Sequence, residues 1–247
     1  MSCKEFKEYP ETFKDFEELA SDSDQYRRIG FPANLRASYE KAIHEDIKSK
    51  MNGLSVKNSS MLDIGAGASN FYKFLVNALE DNGGSYTALD SQAVLDTIPD
   101  PRVMKVCGRF PDSLSHWLKD QASSYDYILV YSVLQYVIGQ TCVFKFLDSA
   151  LDLLKPGGIM LIGDIPNHDM KIRLNRSEEG RLYHAKFYSN YPYPEEDPWL
   201  KSIPDDSTIL SLVSRARKYG YDAWVQSQAD NLPFSNRRED IIIRRRK

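Results

Sequence analysis

A chain of 247 residues with 42% hydrophobic and 27% charged side chains has the length for one large α/β domain and an ordinary globular composition, which excludes disordered and fibrous classes. The formal net charge is −3, and the one basic cluster, Arg244-Arg245-Arg246-Lys247, reads as a solvated terminus, so broad attraction to nucleic acid is not expected. Cys3, Cys107 and Cys142 form no CxxC pair and no ligand spacing with histidine, so neither a disulfide scaffold nor a metal site is expected. Met1-Ser2-Cys3-Lys4-Glu5 carries charge where a signal peptide needs an apolar core, and no run of about 18 apolar residues occurs. A soluble, cytoplasmic protein without a membrane partner is predicted.

In chain order, residues 1–55 are polar and charged. Leu35, Tyr39, Ala42, Ile43 and Ile47 fall there at helical spacing after Pro32 and Asn34, which predicts a helical cap. From Ser60 short apolar runs alternate with amphipathic helices, the pattern of a parallel sheet covered on both faces. Strands are predicted at Met61–Ile64, Tyr86–Leu89, Val103–Cys107, Tyr127–Tyr131 and Ile159–Ile162. Phe71, Phe74, Leu75, Ala78 and Leu79 mark one helix, stopped by Asn82-Gly83-Gly84. Val143, Phe146, Leu147, Ala150, Leu151 and Leu154 mark another, ended by Lys155-Pro156-Gly157-Gly158. Pro166 to Pro204 shows no clear period and carries Tyr183, Phe187, Tyr188, Tyr191, Tyr193 and Trp199 among charged residues; a loop of that length is functional or misread. A helix over Ser207–Lys218 and strands near Ala223–Gln226 and Asp240–Ile243 follow, the last two placed to pair antiparallel.

Gly65 and Gly67 sit between the first strand and the first helix, where an open parallel sheet lets a nucleotide approach backbone N–H groups. The third glycine of a dinucleotide fingerprint is missing, its place taken by Asn70. Asp63, two residues before Gly65, would repel a pyrophosphate but attract a ligand carrying ammonium and sulfonium charges; the competing structural role is a turn-forming Asp. Asp90 ends the second strand, with Ser91 beside it, where an acid accepts hydrogen bonds from a ribose diol; a strand-end turn is the plainer explanation.

Met61-Leu62-Asp63-Ile64-Gly65-Ala66-Gly67-Ala68-Ser69 resembles the first motif of class I methyltransferases. Leu89-Asp90 resembles their ribose-binding acidic position, Tyr125 through Tyr136 their fourth-strand motif, and Leu154-Lys155-Pro156-Gly157-Gly158 their turn before strand five. The resemblance covers roughly residues 58–165 and 205–243. It implies a Rossmann-like α/β fold: seven strands, mostly parallel with an antiparallel last strand, helices on both faces and an N-terminal helical cap. It also implies S-adenosylmethionine as cofactor, with Asp63, Gly65 and Gly67 around its methionine part, Asp90 on the ribose, and Tyr131 and Ser132 beside the methyl group. Where the family often has an acid for the adenine amine, this chain has Gly108-Arg109-Phe110; Arg109 and Phe110 are the candidates to cover adenine, with core packing the other role for Phe110. One methyltransferase domain is expected, with 1–55 as cap, 56–165 and 205–247 as core, and 166–204 as an acceptor-side insertion or lid.

Gly163-Asp164-Ile165-Pro166-Asn167-His168 leaves the fifth strand where acceptors bind in this architecture. This run and Arg238-Glu239-Asp240-Ile241-Ile242-Ile243 are also similar to methyltransferases of bacterial surface-carbohydrate gene clusters. Asp164 and His168, with His184, are the candidate bases for a protonated acceptor; a capping Asp and surface histidines are the plainer readings. Tyr26, Arg27 and Arg28 are candidates to close over the cofactor. The expected function is methyl transfer to oxygen or nitrogen of a small molecule such as a sugar. The alternatives are an NAD-dependent oxidoreductase or epimerase, and a methyltransferase-like module that binds without turnover.

Overall fold

The computed structural model describes residues 12–31, 33–187, 193 and 204–247; Tyr188, Tyr191 and Trp199 of the aromatic segment and the side chains of Leu35 and Phe187 lie outside them. Seven strands form one sheet: β1 Ser60–Ile64, β2 Ser85–Asp90, β3 Val103–Cys107, β4 Tyr125–Tyr131, β5 Leu154–Pro166, β6 Asp222–Ser227 and β7 Arg238–Arg244. Their order is β3-β2-β1-β4-β5-β7-β6. Strands β1 to β5 run parallel, and β7 lies antiparallel between β5 and β6. The chain therefore steps outward from β1 to β3 and then crosses to β4 on the other side of β1. That reversal leaves a crevice at the carboxyl ends of β1 and β4, where ligands bind in open α/β sheets.

Side-chain alternation along each strand feeds two separate cores, which is why these strands read as nearly unbroken apolar runs. Leu62, Ile64, Ile128, Val130, Met160, Ile162, Ile241 and Ile243 point to one face, covered by α9 Val143–Leu153 and α12 Asp206–Lys218. Met61, Tyr86, Ala88, Leu129, Ile159, Leu161 and Ile242 point to the other, covered by α4 Glu40–Lys50 and α5 Tyr72–Glu80. The expected cap helix is present as α3 Ala33–Arg36, one 3-10 turn at Ala37–Tyr39, and α4, which buries Ile43 and Ile47. Two further cap helices, α1 Phe13–Leu19 and α2 Gln25–Arg28, precede it. Both are too short and too sparsely apolar to show a period, yet Thr12 and Asp24 cap them with side-chain hydrogen bonds. Short helices also occur at α6 Gln92–Asp96, α7 Ser115–Asp120 and α8 Leu134–Val137.

The stretch from Pro166 to Pro204, which showed no period, holds α10 His168–Asn175 and α11 Glu178–Phe187. These helices carry no apolar stripe to detect: Leu174 is the one buried residue of α10, and Leu182 of α11 is exposed. Among the described residues no helix is long and apolar enough to cross a membrane.

Leu161 is fully buried at the middle of the central strands. Replacing it by Ala deletes buried methyl groups and leaves a cavity, and urea unfolding should report a loss of about 2–5 kcal/mol; a loss below about 1 kcal/mol would show that the two-faced core is misdrawn.

Candidate functional site

A cavity opens at the crevice between β1 and β4, with about 1210 Å³ of empty space counting its open mouth. Its floor is the turn after β1, Asp63 to Gly67; one wall is Leu89, Asp90 and Val94 after β2, and another is Tyr131 to Val133 after β4. Gly65 and Gly67 both take left-handed backbone, with φ of 79° and 71°, where a side chain is strained. A Cβ on Gly65 would also stand 2.5 Å from Val133 Cγ2. The two glycines are thus required by the path of the turn that carries β1 into the cavity floor.

Asp63 is only 5% exposed. The Tyr86 hydroxyl, two residues up the neighbouring strand on the same face, donates to Asp63 Oδ2 at 2.6 Å. Burial pushes the Asp63 carboxyl up to about 7; the Tyr86 hydrogen bond opposes this and the nearby Asp90 carboxylate adds to it. Asp90 is likewise buried, and burial pushes it up to about 6 although Gly67 N–H at 3.0 Å and Ser91 N–H at 2.7 Å both donate to it. Among the described residues neither carboxylate has a cationic partner. The cavity therefore holds two desolvated acids whose charged forms are short of counter-charge.

The same cavity holds a cation in the opposite predicament. Arg36 is 7% exposed, and its buried Nε has no hydrogen-bond partner. Its guanidinium is surrounded by rings instead, 5.1 Å from the centre of Phe71 and 5.8 Å from those of Phe31 and Tyr131. Aromatic faces stabilise a cation weakly but accept none of its N–H bonds.

At the far wall Gly108, Arg109 and Phe110 line the cavity. The Arg109 guanidinium donates to Gln140 O at 3.2 Å, and Phe110 packs edge-on against Phe146 with centroids 5.0 Å apart. Phe110 thus belongs to the core and the cavity at once. Tyr131 ends β4; burial, then the Asp164 carboxylate, pushes its phenol well above the ordinary value, so it is neutral and able to donate. Beyond it Ser132, with φ 59°, donates its hydroxyl to Asp164, whose φ is 58° and which also receives Arg238 Nη1 and, at 3.3 Å, Gln228 Nε2. Two non-glycine residues held left-handed side by side, one just past β4 and one inside β5, is an arrangement found mainly where function demands it.

Of the residues singled out from sequence, Asp63, Gly65, Gly67, Asp90, Arg109, Phe110, Tyr131 and Ser132 all line this cavity. Ser91 does not; its hydroxyl caps α6 by accepting from Val94 N–H, and its backbone holds Asp90. Asp164 lines a small adjoining cavity shared with Phe31, Arg36, Tyr131, Gln228 and Phe234. His168 opens α10, its N–H bonded to Pro204 O, and lines neither cavity. His184 packs edge-on against Tyr193 instead, 5.0 Å between centroids. No described residue of 166–204 lines the large cavity; the cover comes from the cap, through Phe13, Phe16, Ile29, Phe31 and Arg36. Tyr26, Arg27 and Arg28 are likewise not in the wall; Arg27 pairs with Asp22 at 3.5 Å and Arg28 Nε donates to Asp22 O. The cap contacts went unread because single aromatics on short helices carry no periodic signal. Tyr136, also missed, meets Phe16 edge-on at 4.9 Å. Among the described residues no group of three or more His, Cys, Asp or Glu is placed to hold a metal ion.

Residues 62–160 match the family described as "Methyltransferase domain". No curated protein matches the sequence. Among solved structures, the plantazolicin methyltransferase BpumL, crystallised with a desmethylPZN analogue and SAH, is similar at TM-score 0.57 and 14% identity, over 95% of this chain and 98% of that one. The N-methyltransferase NodS from Bradyrhizobium japonicum WM9, solved with S-adenosyl-L-homocysteine, gives TM-score 0.55 and 14% identity over 96% of this chain and 100% of its own. The CurJ carbon methyltransferase gives 0.54 and 15% over 95% and 58%. At such identities these likenesses establish the fold. The family match over residues 62–160 and the sheet order agree with the class I methyltransferase architecture, the class whose cofactor is S-adenosylmethionine.

Proposed function

We propose that this chain transfers the methyl group of S-adenosylmethionine to a nitrogen or oxygen of a compact small molecule, with the large cavity as cofactor site and the Tyr131–Ser132–Asp164 edge as acceptor side. The observation that carries the reading is the mismatch of charge in the cavity. The cofactor has an α-ammonium, a sulfonium, an α-carboxylate and a ribose diol. Among the described residues Asp63 and Asp90 have neutral hydrogen-bond donors but no cation, and the Arg36 Nε has no acceptor. Each is relieved by one group of that one molecule: Asp63 by the ammonium, Arg36 by the carboxylate, Asp90 by the diol. A dinucleotide fits poorly, because its pyrophosphate would face Asp63 at the glycine turn.

When bound, the cofactor supplies an electrophilic methyl group whose transfer consumes the sulfonium charge, so alignment and exclusion of water are the protein's main tasks. Phe13, Phe16, Ile29 and Phe31 provide the apolar cover. A hydroxyl acceptor needs a base, whereas an amine that arrives neutral does not. Asp164 is already engaged by Ser132, Arg238 and Gln228, and His168 is not in the wall. This scarcity of proton acceptors favours nitrogen over oxygen, and amino sugars fall within the class. The domain reading follows the same lines: residues 1–55 as the cap that closes the cofactor site, 56–165 with 205–247 as core, and 166–204 as an appendage on the acceptor side.

The direct test is calorimetric titration. S-adenosylhomocysteine should bind and NADH should not, and the reverse order would end the proposal. Asp63→Asn keeps an acceptor for the Tyr86 hydroxyl but removes the charge, and should weaken S-adenosylhomocysteine about tenfold or more; affinity within about twofold of wild type would remove Asp63 from its role. Turnover of amines but not of their hydroxyl isosteres in a methyl-transfer panel would support nitrogen, and the opposite preference would refute it.

The raised carboxyls fix a pH dependence. A folded pKa of about 7 for Asp63 and about 6 for Asp90, against 3.8 ordinarily, means the empty folded chain holds these protons more tightly than the unfolded chain. Their contribution to stability is fully present below about pH 4 and is lost as pH rises through 6 and 7. A ligand ammonium group needs Asp63 ionised, so affinity for S-adenosylhomocysteine should rise from pH 6 to pH 8 and the thermal shift it produces should grow over that range. Flat affinity across the range would contradict the assignment. Arg36→Gln should weaken S-adenosylhomocysteine about tenfold while leaving 5′-methylthioadenosine, which lacks the amino-acid portion, within about twofold; equal losses for both would show that Arg36 does not hold the carboxylate.

A further inference from the structure

A second charged cluster lies behind the acceptor edge, outside the cavity. In the antiparallel pairing of β5 with β7, Ile162 faces Ile241 and Ile165 faces Glu239. Gly163 and Asp164 thus stand opposite the single residue Asp240, which is a β-bulge, a device that re-aims a side chain at a site. Asp240 is 0% exposed. Its Oδ1 accepts the Asp164 backbone N–H at 2.8 Å and Gln228 Nε2 at 3.2 Å; its Oδ2 accepts Lys50 Nζ at 2.7 Å. Lys50 is itself buried at the end of α4 and also holds Asp46, one turn earlier, at 2.5 Å. The bulge gives Asp164 its left-handed backbone, and from there its side chain meets Ser132 and Arg238. An unbroken ladder would send the residue after Ile162 to one face and the next to the other, with no turn back toward β4.

We propose that Lys50 and Asp240 are positioning residues for methyl transfer: the buried pair pins the β5 bulge and so sets Asp164, Ser132 and Arg238 against the space facing the cofactor's methyl group. The inference rests on the cofactor and acceptor reading above. It ties the cap, through α4, to the geometry of the acceptor edge. A salt bridge this deep is poor value for stability alone, since a pair of apolar residues of similar size often does as well.

The test needs no acceptor. Lys50→Met/Asp240→Leu, made together with Asp46→Asn so that neither carboxylate held by Lys50 is stranded in the core, removes the pair, and Lys50→Arg is the conservative control. Each protein is titrated with S-adenosylhomocysteine, followed by hydrogen exchange over residues 162–166, and loaded with S-adenosylmethionine carrying a 13C methyl group. The triple variant should bind S-adenosylhomocysteine within about threefold of wild type, exchange its 162–166 amides about tenfold faster, and show a displaced methyl resonance, while Lys50→Arg stays like wild type in all three. Asp240→Asn, a milder change, is judged on the same two signals should the triple variant not fold. Unchanged methyl resonance and protection in a folded variant would overturn the proposal and leave the pair as structural support. Failure of wild type to bind either ligand would instead bring down the cofactor reading, and the inference with it.

Discussion

The Asp63 carboxylate at the end of β1 is the constraint around which the rest of the site is arranged. A carboxylate taken out of water without a cation is costly in its charged form, and here, among the described residues, a phenol from Tyr86 is the one side chain that bonds it. The sheet supplies the position: β1 is flanked by β2 and β4, so its last residues are buried from both sides before the glycine turn releases the chain. Asp63 points to the same face as Tyr86, Leu129 and Tyr131, into the cavity rather than toward α9. The acid is thus desolvated by the same packing that makes the fold stable, and the ligand provides what the protein withholds.

Arg36 shows the complementary strategy. It comes from the cap, not from the sheet, and rings of Phe31, Phe71 and Tyr131 surround its guanidinium. A cofactor lying between Asp63 and Arg36 would bridge sheet and cap through its own opposite charges. That couples cofactor binding to seating of the N-terminal helices, whose aromatic side chains form the apolar cover. Lys50 makes a second tie between cap and sheet on the acceptor side, so both reacting partners are oriented by elements the cap helps to hold.

The parts of this structure legible in the sequence are those governed by strong periodic burial or by backbone constraint. The five parallel strands, α5, α9 and α12 bury continuous stripes, and Gly65 and Gly67 occupy left-handed backbone, so each leaves a mark in residue type and spacing. Asp63 and Asp90 were legible because an acid at a strand end beside a glycine turn has few structural uses. What stayed hidden has a common cause. Helices α10 and α11 bury little, and α1 and α2 are shorter than two or three turns, so none shows an apolar stripe. The cap residues Phe16, Phe31 and Arg36 meet the site only through tertiary packing. The described residues of 166–204, expected as an insertion or lid, are not in the cavity wall, and the apolar cover found there comes from cap residues whose single aromatics carry no periodic signal. Ser91 illustrates a nearer miss: its neighbour Asp90 faces the cavity while its own hydroxyl turns to cap α6.

The central claim is that a buried, partly protonated acid is ionised by the ammonium group of its ligand. Its most direct measurement is the number of protons exchanged on binding S-adenosylhomocysteine at pH 7, obtained by calorimetry in buffers of different ionisation enthalpy. With Asp63 at about 7, the complex should release about half a proton from this group, and Asp63→Asn should abolish the release. Binding without proton release, or release that survives in the variant, would contradict the account.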